Sequence, residues 1–567
     1  MNNHHLLLFF LLLVPLLAAA QEKRGADIPW TTYEAENMHT TGIVLGPRYD
    51  PYQVETESSG QRCVRLNGKG KYVEFTAAAQ ANSLVIRYSL PDAAKGGGLH
   101  STLGVYKNGR LAQHCSITST YCMLYGKYPF SNDPDSGRAR NFYDEVRLRD
   151  LPVAKGDVIR IQLDPGALDV NTCIIDLADL ELVAPPLPMP ANAVSLATFS
   201  DGSGDYTRAL RDCISAAARA NKIVWLPAGA YKITGDIVVP SDITIQGAGM
   251  WYSTLEGDAH EYNNASGRVR IKGNGSNIHL ADFAITGKLN YRSDHETNDG
   301  IFGSYGSGST ISRLWIEHTK VGMWIENSSG LQIEGCRMRN TIADGINFCV
   351  GMYQSTIRNC TTRGGGDDCF AIWPAPFRKQ EFTPGHNLIT HCTGQLVFLA
   401  NGAAVYGGES NVVQNCSFSD ITPGCAILVS STFPTENDAH KVHNNFSGNT
   451  VIENCDIRTS GGFDHEWDWR GAVEVCVDKR NIAGLVLRDL HIENSLSNAI
   501  TIRGKNAGTQ TGALSNALLE NITVQQYGLG TKAGYGLYIA PDTHGDIMVK
   551  TASLGAIKND ATSFTIQ

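Results

Sequence analysis

The chain has 567 residues, too many for one ordinary globular core, so we expect two or more domains or an array of repeats. Its 58 glycines and charged fraction of 18% are typical of a turn-rich all-β protein rather than a helical one. The net charge is −9 and the pI is about 6.0, which gives no support for a nucleic-acid partner.

The first twenty residues are typical of a secretory signal. A short polar start with His4 and His5 is followed by twelve apolar residues over 6–17 and by three alanines before Gln21. Twelve apolar residues are too few to span a bilayer, and no later segment is apolar enough, so we expect no membrane partner. The pattern predicts removal of residues 1–20 and a secreted protein, either periplasmic or extracellular.

Residues 26–184 predict a β-sandwich domain. Alternating apolar runs such as 72–75 and 158–162 are separated by turns, and no helical period there is longer than two turns. The proline-rich stretch over 185–193 is a stiff linker that ends this domain.

A helix is predicted over 207–220, soon after the linker. Its apolar residues fall on one face: Ala209, Leu210, Cys213, Ile214 and Ala217. A helix in this place covers the open end of a solenoid core. Because the following coils then have their own cap, we expect them to fold and to work without residues 21–190.

Two interleaved series of short apolar strands follow. Segments such as 355–360 belong to one series and segments such as 345–348 to the other, with a repeat of 22 to 24 residues. This pattern predicts a right-handed parallel β-helix over 194–567, so the fold class is all-β. A sandwich or a propeller is the alternative, but a propeller blade needs about 40 to 45 residues per repeat.

Five of the 14 cysteines recur at one place in the repeat: Cys336, Cys360, Cys392, Cys416 and Cys455. Stacked coils would put these thiols in one column, where we expect a buried ladder of small residues. We expect no metal there, because no CxxC or HxxxH pairing accompanies them. Cys115 and Cys122 are the better disulfide candidates.

Three aspartates, Asp344, Asp367 and Asp368, lie on consecutive predicted coils. Asp344 and Asp368 occupy the same place in two similar segments, 24 residues apart. Equivalent points on adjacent coils lie about one or two strand spacings of about 4.8 Å apart, where paired carboxylates can act on a glycosidic bond. Asp367 can join them only if the backbone bends, which the glycines at 364–366 permit. The alternative for each aspartate is a turn cap.

The β-helix part resembles glycoside hydrolase family 87, whose members cleave α-1,3-glucan or nigeran. The resemblance rests on these motifs: Asp201-Gly-Ser-Gly-Asp-Tyr206, Trp225-Leu-Pro-Ala-Gly-Ala-Tyr231, Ala343-Asp-Gly-Ile-Asn-Phe348, Gly366-Asp-Asp-Cys-Phe-Ala-Ile-Trp373 and Ala400-Asn-Gly-Ala-Ala-Val-Tyr-Gly-Gly408. It implies a polysaccharide substrate and an inverting hydrolase whose catalytic residues are Asp344, Asp367 and Asp368.

An inverting site needs one carboxylic acid to protonate the leaving oxygen and a carboxylate to activate water. We assign the acid to Asp367, expecting two nearby negative charges to raise its pKa, and water activation to Asp344 with Asp368. Because Asp367 lies one residue off the column, we expect its carboxyl group to be about 6.5–9.5 Å from that of Asp344, the inverting range.

Five further residues are predicted to bind the sugar chain: Asp299, Trp373, Tyr406, Trp467 and Trp469. Asp299 falls two coils before the position of Asp344, although it could simply cap a turn. The aromatic rings lie in or beside loops near the expected cleft, where they could stack on sugars. Core packing is the alternative for Trp373 and Tyr406.

The N-terminal domain resembles calcium-containing carbohydrate-binding modules of families 6 and 35. The resemblance rests on Tyr33-Glu-Ala-Glu-Asn37 and Ile175-Asp-Leu-Ala-Asp-Leu-Glu181. It implies a structural Ca²⁺ held by Glu34 and Glu36, with either Asp176 or Asp179 as a third ligand. Solvent-facing acids on an edge strand are the alternative. No cofactor is expected for catalysis.

Two other functions compete with the α-glucanase prediction. Family 28 polygalacturonases also carry an Asp-Gly motif one coil before Asp-Asp-Cys. Their two cationic stretches for a uronate are replaced here by uncharged residues, at 402–404 or 423–425 for one stretch and at 427–429 for the other. A β-helix that binds polysaccharide without cleaving it is the second alternative, and the crowded aspartates argue against it. A monomer is expected.

Overall fold

The computed structural model describes residues 23–258, 267–464, 468–504, 512–530 and 534–567, so the predicted signal segment lies outside the described residues. Nearly all regular structure is β, which confirms the fold class. In the described part of the chain, no helix has both the length and the apolar character needed to cross a bilayer.

Two antiparallel sheets pack face to face in the N-terminal region and form the predicted sandwich. One sheet contains the strands Trp30–Glu34, Ile43–Leu45, Cys63–Asn67, Ser83–Ser89, Asp144–Leu148 and Thr172–Glu181. The other contains His39–Thr40, Tyr72–Thr76, His100–Lys107, Arg110–Thr118 and Val158–Leu163. Along Val158–Leu163 every second residue is buried, as the period-two alternation predicts.

Short elements complete the sandwich and the loops. Leu124–Tyr125 pairs with Ala139–Arg140, Glu436–Asn437 with Val442–His443, and Phe463–Asp464 with Asp468–Trp469. The 3₁₀ turns are Ala35–Asn37, Ser59–Gln61, Pro134–Ser136, Leu196–Phe199 and Asp438–His440.

The second region is a parallel β-helix with three ladders of strands. The first ladder contains Ala193–Ser195, Ile223–Leu226, Thr244–Gly247, His279–Ala281, Thr310–Ser312, Gln332–Glu334, Thr356–Arg358, Leu388–Thr390, Val412–Gln414, Thr450–Arg458, Ile482–Ala483, Leu485–Glu493, Leu514–Glu520, His544–Lys550 and Ser563–Ile566. The second contains Gly229–Lys232, Ser253–Glu256, Ala284–Thr286, Trp315–Glu317, Arg337–Arg339, Thr361–Arg363, Thr393–Gln395, Ser417–Ser419 and Thr523–Gln525. These two ladders merge where Thr450–Arg458 and Leu485–Glu493 run through both.

The third ladder carries the predicted aspartates. It contains Asp236–Pro240, Arg270–Asn274, Gly300–Ser307, Met323–Ser329, Ile346–Phe348, Met352–Tyr353, Phe370–Ile372, Ala403–Val405, Ile427–Ser430, Val473–Val477, Ile500–Gly504, Leu537–Ile539 and Ile557–Asn559. Inward side chains such as Ile325, Phe348 and Ile372 are almost fully buried and stack from coil to coil.

The cysteine column is present as predicted, with all five thiols buried and free. The Cys336 amide donates to Cys360 Sγ at 3.4 Å, which places successive thiols against each other. Each of these cysteines follows a residue with a left-handed backbone, for example Asn359 with φ 52° and Asn415 with φ 55°. Asparagine and glycine tolerate that conformation best, which explains why they occupy most of these positions.

The predicted cap helix is confirmed as Thr207–Ala220, and its buried residues are those of the predicted face. It ends at Asn221, whose left-handed backbone, with φ 52°, directs its amide to carbonyls of the last turn. The disulfide prediction is wrong. Cys115 lies in the sandwich core, whereas Cys122 packs with Met123 and Tyr125 in a separate cluster, and both are free.

The sandwich packs against the β-helix through buried ion pairs. Arg363 contacts Glu145 at 2.5 Å and Asp179 at 2.8 Å. Arg337 holds both carboxylate oxygens of Glu181, at 2.7 and 2.8 Å. In each pair the arginine comes from the β-helix and the acid from the sandwich. Arg363 and Arg339 outweigh the effect of burial and lower the pKa of Glu145.

The N-terminal segment is also tied to distant coils. Arg24 contacts Asp456 at 2.6 Å, and the Gly25 amide donates to Asn415 O at 2.8 Å. Losing one partner of a buried ion pair costs about 3–5 kcal/mol, because the other charge stays buried without compensation. These contacts argue against the expectation that the β-helix folds and works without residues 21–190, which stays a prediction to be tested.

Candidate active site

Asp344 and Asp368 lie at the same point of neighbouring coils, as predicted. Strand Ile346–Phe348 pairs with Phe370–Ile372 in the register Ile346 to Phe370. The Gly345 amide donates to Asp368 O at 2.9 Å, which fixes the two aspartates side by side. One coil further, Asn401 occupies the equivalent position, because Phe370 pairs with Ala403.

A bend at 364–366 brings Asp367 into the same site. Gly364 has φ 75°, and a Cβ on Gly366 would lie 2.2 Å from Ile342 O. Only glycine fits this close approach. One carboxylate oxygen from each of Asp344, Asp367 and Asp368 lies within 4.8 Å of the others, and we call these three residues the cleft cluster.

The two aspartates of the column are held by neutral donors. Asn347 Nδ2 donates to Asp344 Oδ2 at 3.2 Å, and Asn401 Nδ2 donates to Asp368 Oδ1 at 2.8 Å. The Tyr406 hydroxyl donates to Asp368 Oδ2, also at 2.8 Å. Each donor orients a carboxylate without neutralising its charge.

Burial and mutual repulsion hold protons in the cleft cluster. Burial, then the charges of Asp367 and Asp368, raise the pKa of Asp344 well above its ordinary value. Burial and the charge of Asp367 raise the pKa of Asp368 to about 8. Asp344 and Asp368 are close enough to titrate as a coupled pair, and their raised pKa values favour one proton on this pair near neutral pH.

The surroundings of Asp367 differ from the expected ones. We expected two negative charges to dominate there, but Arg292 Nη2 donates to Asp367 Oδ2 at 2.8 Å. The expected separation of Asp367 from Asp344 also differs, because their nearest oxygens lie within 4.8 Å. The carboxyl spacing therefore does not by itself select the inverting class, and the sequence pattern gave no sign of the arginine.

The cleft cluster opens into a cleft of about 860 Å³. Asp344 and Asp367 line this cleft, while Asp368 lies behind them and is only 3% exposed. Aromatic side chains form part of its wall: Tyr128, Trp324, Phe302, Trp373, Phe377 and Phe433. Aromatic faces and a few polar groups are typical of a ligand cleft.

Cations line the cleft, contrary to the expectation of a groove without them: Arg270, Lys272, Arg292, Lys320 and Arg378. They come from coils and loops other than the two stretches compared with polygalacturonases. Arg378 pairs with Glu326 at 3.1 Å, and Arg292 pairs with Asp367. The same lining contains the acids Asp294, Glu296 and Glu326, so the cleft carries charges of both signs rather than cations alone.

The predicted sugar-binding residues differ in whether they line the cleft. Trp373 lines the cleft, and its indole N–H donates to Pro434 O at 3.2 Å. Tyr406 is buried and holds Asp368, so the prediction that it stacks on sugar is wrong. Asp299 does lie two coils before Asp344, but it is fully buried and accepts from the Lys320 amide at 2.6 Å. It therefore does not line the cleft.

Trp469 lies outside the cleft. It lines a separate pocket of about 580 Å³ between the sandwich and the β-helix, together with Tyr52 and Phe463. Trp467 lies outside the described residues.

Glu34 and Glu36 lie near Asp176, whose charge adds to burial in raising the pKa of both glutamates, but Asp179 does not join them. Among the described residues, only the cleft cluster brings ligand atoms of three acids within 4.8 Å of one another, so the proposed calcium ligands are more widely spaced. Glu34 ends its strand and Glu36 lies in a 3₁₀ turn, so it is not strand alternation that brings them together. Asp179 instead accepts from Thr32 and Arg363, at 2.6 and 2.8 Å.

Asp420 of the β-helix takes the fourth place in this group, which we call the junction cluster: Glu34, Glu36, Asp176 and Asp420. Asp420 Oδ1 accepts from Gln61 Nε2 at 3.0 Å, and Asp176 Oδ1 accepts from the Ser59 amide at 2.9 Å. Burial and then the charge of Asp176 raise the pKa of Glu34 to about 8. Glu34 Oε2 and Glu36 Oε2 are buried without a hydrogen-bond partner, and all-oxygen donors of this kind suit Ca²⁺.

Three residues that contact the cleft cluster were not predicted from the sequence. Asn401 was findable, because its position in the repeat continues the column of Asp344 and Asp368. Asn347 lies three residues after Asp344 and gave no separate signal. Arg292 lies in an insertion that has no counterpart in the other coils, so no periodic signal could locate it.

Family models match both regions of the chain. The model described as α-1,3-glucanase catalytic domain D1 matches residues 27–183, and that described as α-1,3-glucanase catalytic domain D2 matches residues 204–564. A search of curated proteins found no match.

Several solved structures are similar over almost the whole chain. The catalytic domain of Agl-KA is 26% identical, with a TM-score of 0.83 over 98% of this chain and 100% of that chain. The catalytic unit of a thermostable family 87 α-1,3-glucanase from Streptomyces thermodiastaticus strain HF3-3 is 29% identical, with a TM-score of 0.81 over 96% of each chain.

A further family 87 α-1,3-glucanase catalytic domain was solved with tetrasaccharides. It is 25% identical, with a TM-score of 0.81 over 96% of this chain and 99% of that chain. Complexes of such a domain with nigerose or tetrasaccharides carry single aspartate-to-alanine substitutions at three positions, of which the first two are 23 residues apart and the last two are adjacent.

Proposed function

We propose, from the premise that this chain belongs to the α-1,3-glucanases of glycoside hydrolase family 87, that it cleaves α-1,3-glucosidic bonds in an α-glucan with inversion of configuration. The chain is a glycoside hydrolase by this membership. The observation that carries the proposal is the cleft cluster, whose three carboxylates meet at the wall of an aromatic-lined cleft. Their spacing along the chain matches the three substituted aspartates of the relative solved with nigerose and tetrasaccharides.

The proposed mechanism gives each aspartate a role. Asp367 protonates the leaving oxygen, since its side chain, 28% exposed, is the most accessible of the three. Asp344 and Asp368 hold and deprotonate the attacking water, with Asn401 and Tyr406 fixing Asp368. Asp367 gives its proton to the leaving oxygen, and the proton that the attacking water loses passes to Asp344 or Asp368.

Two variants separate these roles. Asp367→Asn and Asp344→Asn should each lose activity on α-1,3-glucan by at least about 10²-fold. On an α-nigerosyl fluoride, whose leaving group needs no proton, Asp367→Asn should retain most activity while Asp344→Asn stays inactive. Asp212→Asn, on the exposed face of the cap helix, is the control. The opposite pattern on the fluoride would exchange the two roles.

The product anomer tests inversion. NMR of the first turnovers should show the β-anomer released from the α-linked glucan, and early α-anomer would mean a retaining mechanism. Wild-type enzyme should cut α-1,3-glucan or nigeran and leave dextran and polygalacturonate intact. Hydrolysis of polygalacturonate alone would instead support the pectinase alternative.

Four further proposals accompany the activity. The protein is secreted, as the predicted signal implies, and acts as a monomer. The sandwich is a module of the family 6 and 35 type, and its junction cluster holds a structural Ca²⁺ through Glu34, Glu36 and Asp176, with Asp420 added from the β-helix. What supports the ion is the pair of buried carboxylate oxygens that have no protein donor. Metal analysis of the purified protein by mass spectrometry tests it.

A further inference from the structure

We infer that Arg292 and Tyr128 position Asp367, so that the sandwich domain completes the active site of the β-helix. The inference rests on the proposed function of the cleft cluster. Neither residue belongs to the repeat, and Tyr128 belongs to the other domain.

Arg292 ties both coils of the cleft cluster together. Its side chain is only 4% exposed, and its Nη1 donates to Ile342 O at 3.0 Å and to Gly366 O at 2.6 Å. Those carbonyls belong to the segments that lead into Asp344 and Asp367. Its Nη2 donates to Asp367 Oδ2 at 2.8 Å. One planar guanidinium can hold these three acceptors at once, whereas a lysine ammonium cannot reproduce the fork.

Tyr128 closes the other side of the guanidinium. Its ring centroid lies 5.2 Å from Arg292 Cζ, within the range of a cation–π contact. Its hydroxyl donates to Asp294, which also accepts from Arg292 Nε at 3.3 Å. Nearby, Asn132 Nδ2 donates to Asn290 O at 2.6 Å. The sandwich loop around Tyr128 is thus fastened onto the insertion that carries Arg292, and Tyr128 itself lines the cleft.

Arg292 sits among several charges. Asp294, Asp367 and Asp344 face it as acids, and Lys320 is a neighbouring cation whose pKa is lowered first by burial. The charge of Arg292 opposes the rise in the pKa of Asp344. Removing that charge therefore makes the cleft cluster hold its proton to higher pH.

The test compares two substitutions of Arg292 by the pH profile of kcat/KM. Arg292→Met should lower kcat by at least tenfold, change KM less, and move both limbs of the profile to higher pH. Arg292→Lys keeps the charge but not the fork, so it should lower kcat while the limbs stay near those of the wild type. A wild-type profile and rate for Arg292→Met would overturn the inference.

The role of the sandwich is tested with Tyr128→Ala and a matched control. Tyr72→Ala removes a similar contact inside the sandwich, where Arg160 Cζ lies 3.8 Å from the Tyr72 ring centroid. Tyr128→Ala should lower kcat several-fold at an unchanged melting temperature, and Tyr72→Ala should leave kcat as in the wild type. Equal kcat values for the two variants would overturn the inference that the sandwich completes the active site. A wild-type enzyme inactive on α-1,3-glucan would instead overturn the proposed function.

Discussion

The cleft cluster and the junction cluster both bring carboxylates together, and they differ in what surrounds these groups. In the cleft cluster Asp344 and Asp367 face an open cleft and Asp368 lies behind them. The three aspartates are held by Asn347, Asn401, Tyr406 and Arg292. In the junction cluster four acids lie between the domains, where the Ser59–Gln61 turn covers them. Burial raises pKa values in both.

The difference shows that a raised pKa alone does not identify a catalytic carboxylate. Only the cleft cluster combines such groups with room for a substrate and with a fixed register on neighbouring coils. The junction cluster has the charge but no comparable opening, so its acids are better suited to holding an ion and joining two domains.

Deleting the sandwich domain should have the largest effect of the changes considered. Deleting residues 21–190 takes away three of the four junction acids and the partners of Arg337 and Arg363, leaving those arginines without their acids. We expect insoluble or inactive protein, measured as soluble yield and hydrolysis of nigero-oligosaccharides. Deleting only residues 1–20 is the control. A soluble truncated protein with wild-type activity would show that the domains are independent after all.

Replacing one aspartate by asparagine in each cluster tests how the two clusters differ in their effects on activity and stability. Asp344→Asn should lower activity by at least about 10²-fold and leave the melting temperature unchanged or higher, because it removes repulsion between carboxylates. Asp176→Asn should do the reverse, keeping activity within a few-fold while lowering the melting temperature, since Arg87 loses its charged partner. Calorimetry and a reducing-sugar assay check both. Loss of activity in a fully folded Asp176→Asn variant would show that the junction cluster is not purely structural.

The interface beside the junction cluster can be weakened at one arginine. Arg363→Met should lower the free energy of unfolding by about 3–5 kcal/mol, because buried Glu145 is left with the longer contact to Arg339, at 3.6 Å, and buried Asp179 with the neutral Thr32 hydroxyl. Arg358→Met, an exposed residue on the neighbouring strand, should change it by less than about 0.5 kcal/mol. Urea titrations compare the two, and equal values would mean that the buried pairs contribute nothing.

The smallest expected effect is the pH dependence of stability from the junction cluster. Glu34 has a pKa of about 8 in the folded protein against an ordinary value of 4.5, so the unfolded chain binds fewer protons between these values. Stability should therefore fall as pH rises from 4.5 to about 8 in the presence of a chelator. Bound Ca²⁺ favours the carboxylate and should suppress this fall.

Melting temperatures measured across that range, with EDTA and with added Ca²⁺, test this. Glu34→Gln should remove the difference between the two series. A wild-type melting temperature that does not respond to either pH or Ca²⁺ would contradict both the ion and the raised pKa.

Features that repeat along the chain were predictable. The 24-residue spacing placed Asp344 beside Asp368, and the apolar face of the cap helix matched its buried face. Contacts between non-repeating segments were not predictable. Arg292 contacts Asp367 from an insertion, and Tyr128 contacts Arg292 from another domain, so neither contact could be predicted from the sequence repeat. Tyr406 was misread because sequence shows an aromatic ring but not whether it is buried.

The 14 free, buried cysteines have a consequence for biogenesis. Burial of all 14 thiols keeps oxidants from reaching them in the folded protein, and it also raises the pKa of Cys360 and Cys369, which lowers the fraction of reactive thiolate at these two residues. The unfolded chain has no such protection. An exported chain would reach an oxidising compartment with all its thiols accessible. Productive folding then requires the coils to form and bury the cysteines before incorrect disulfides form. Reductant during refolding should therefore raise the yield.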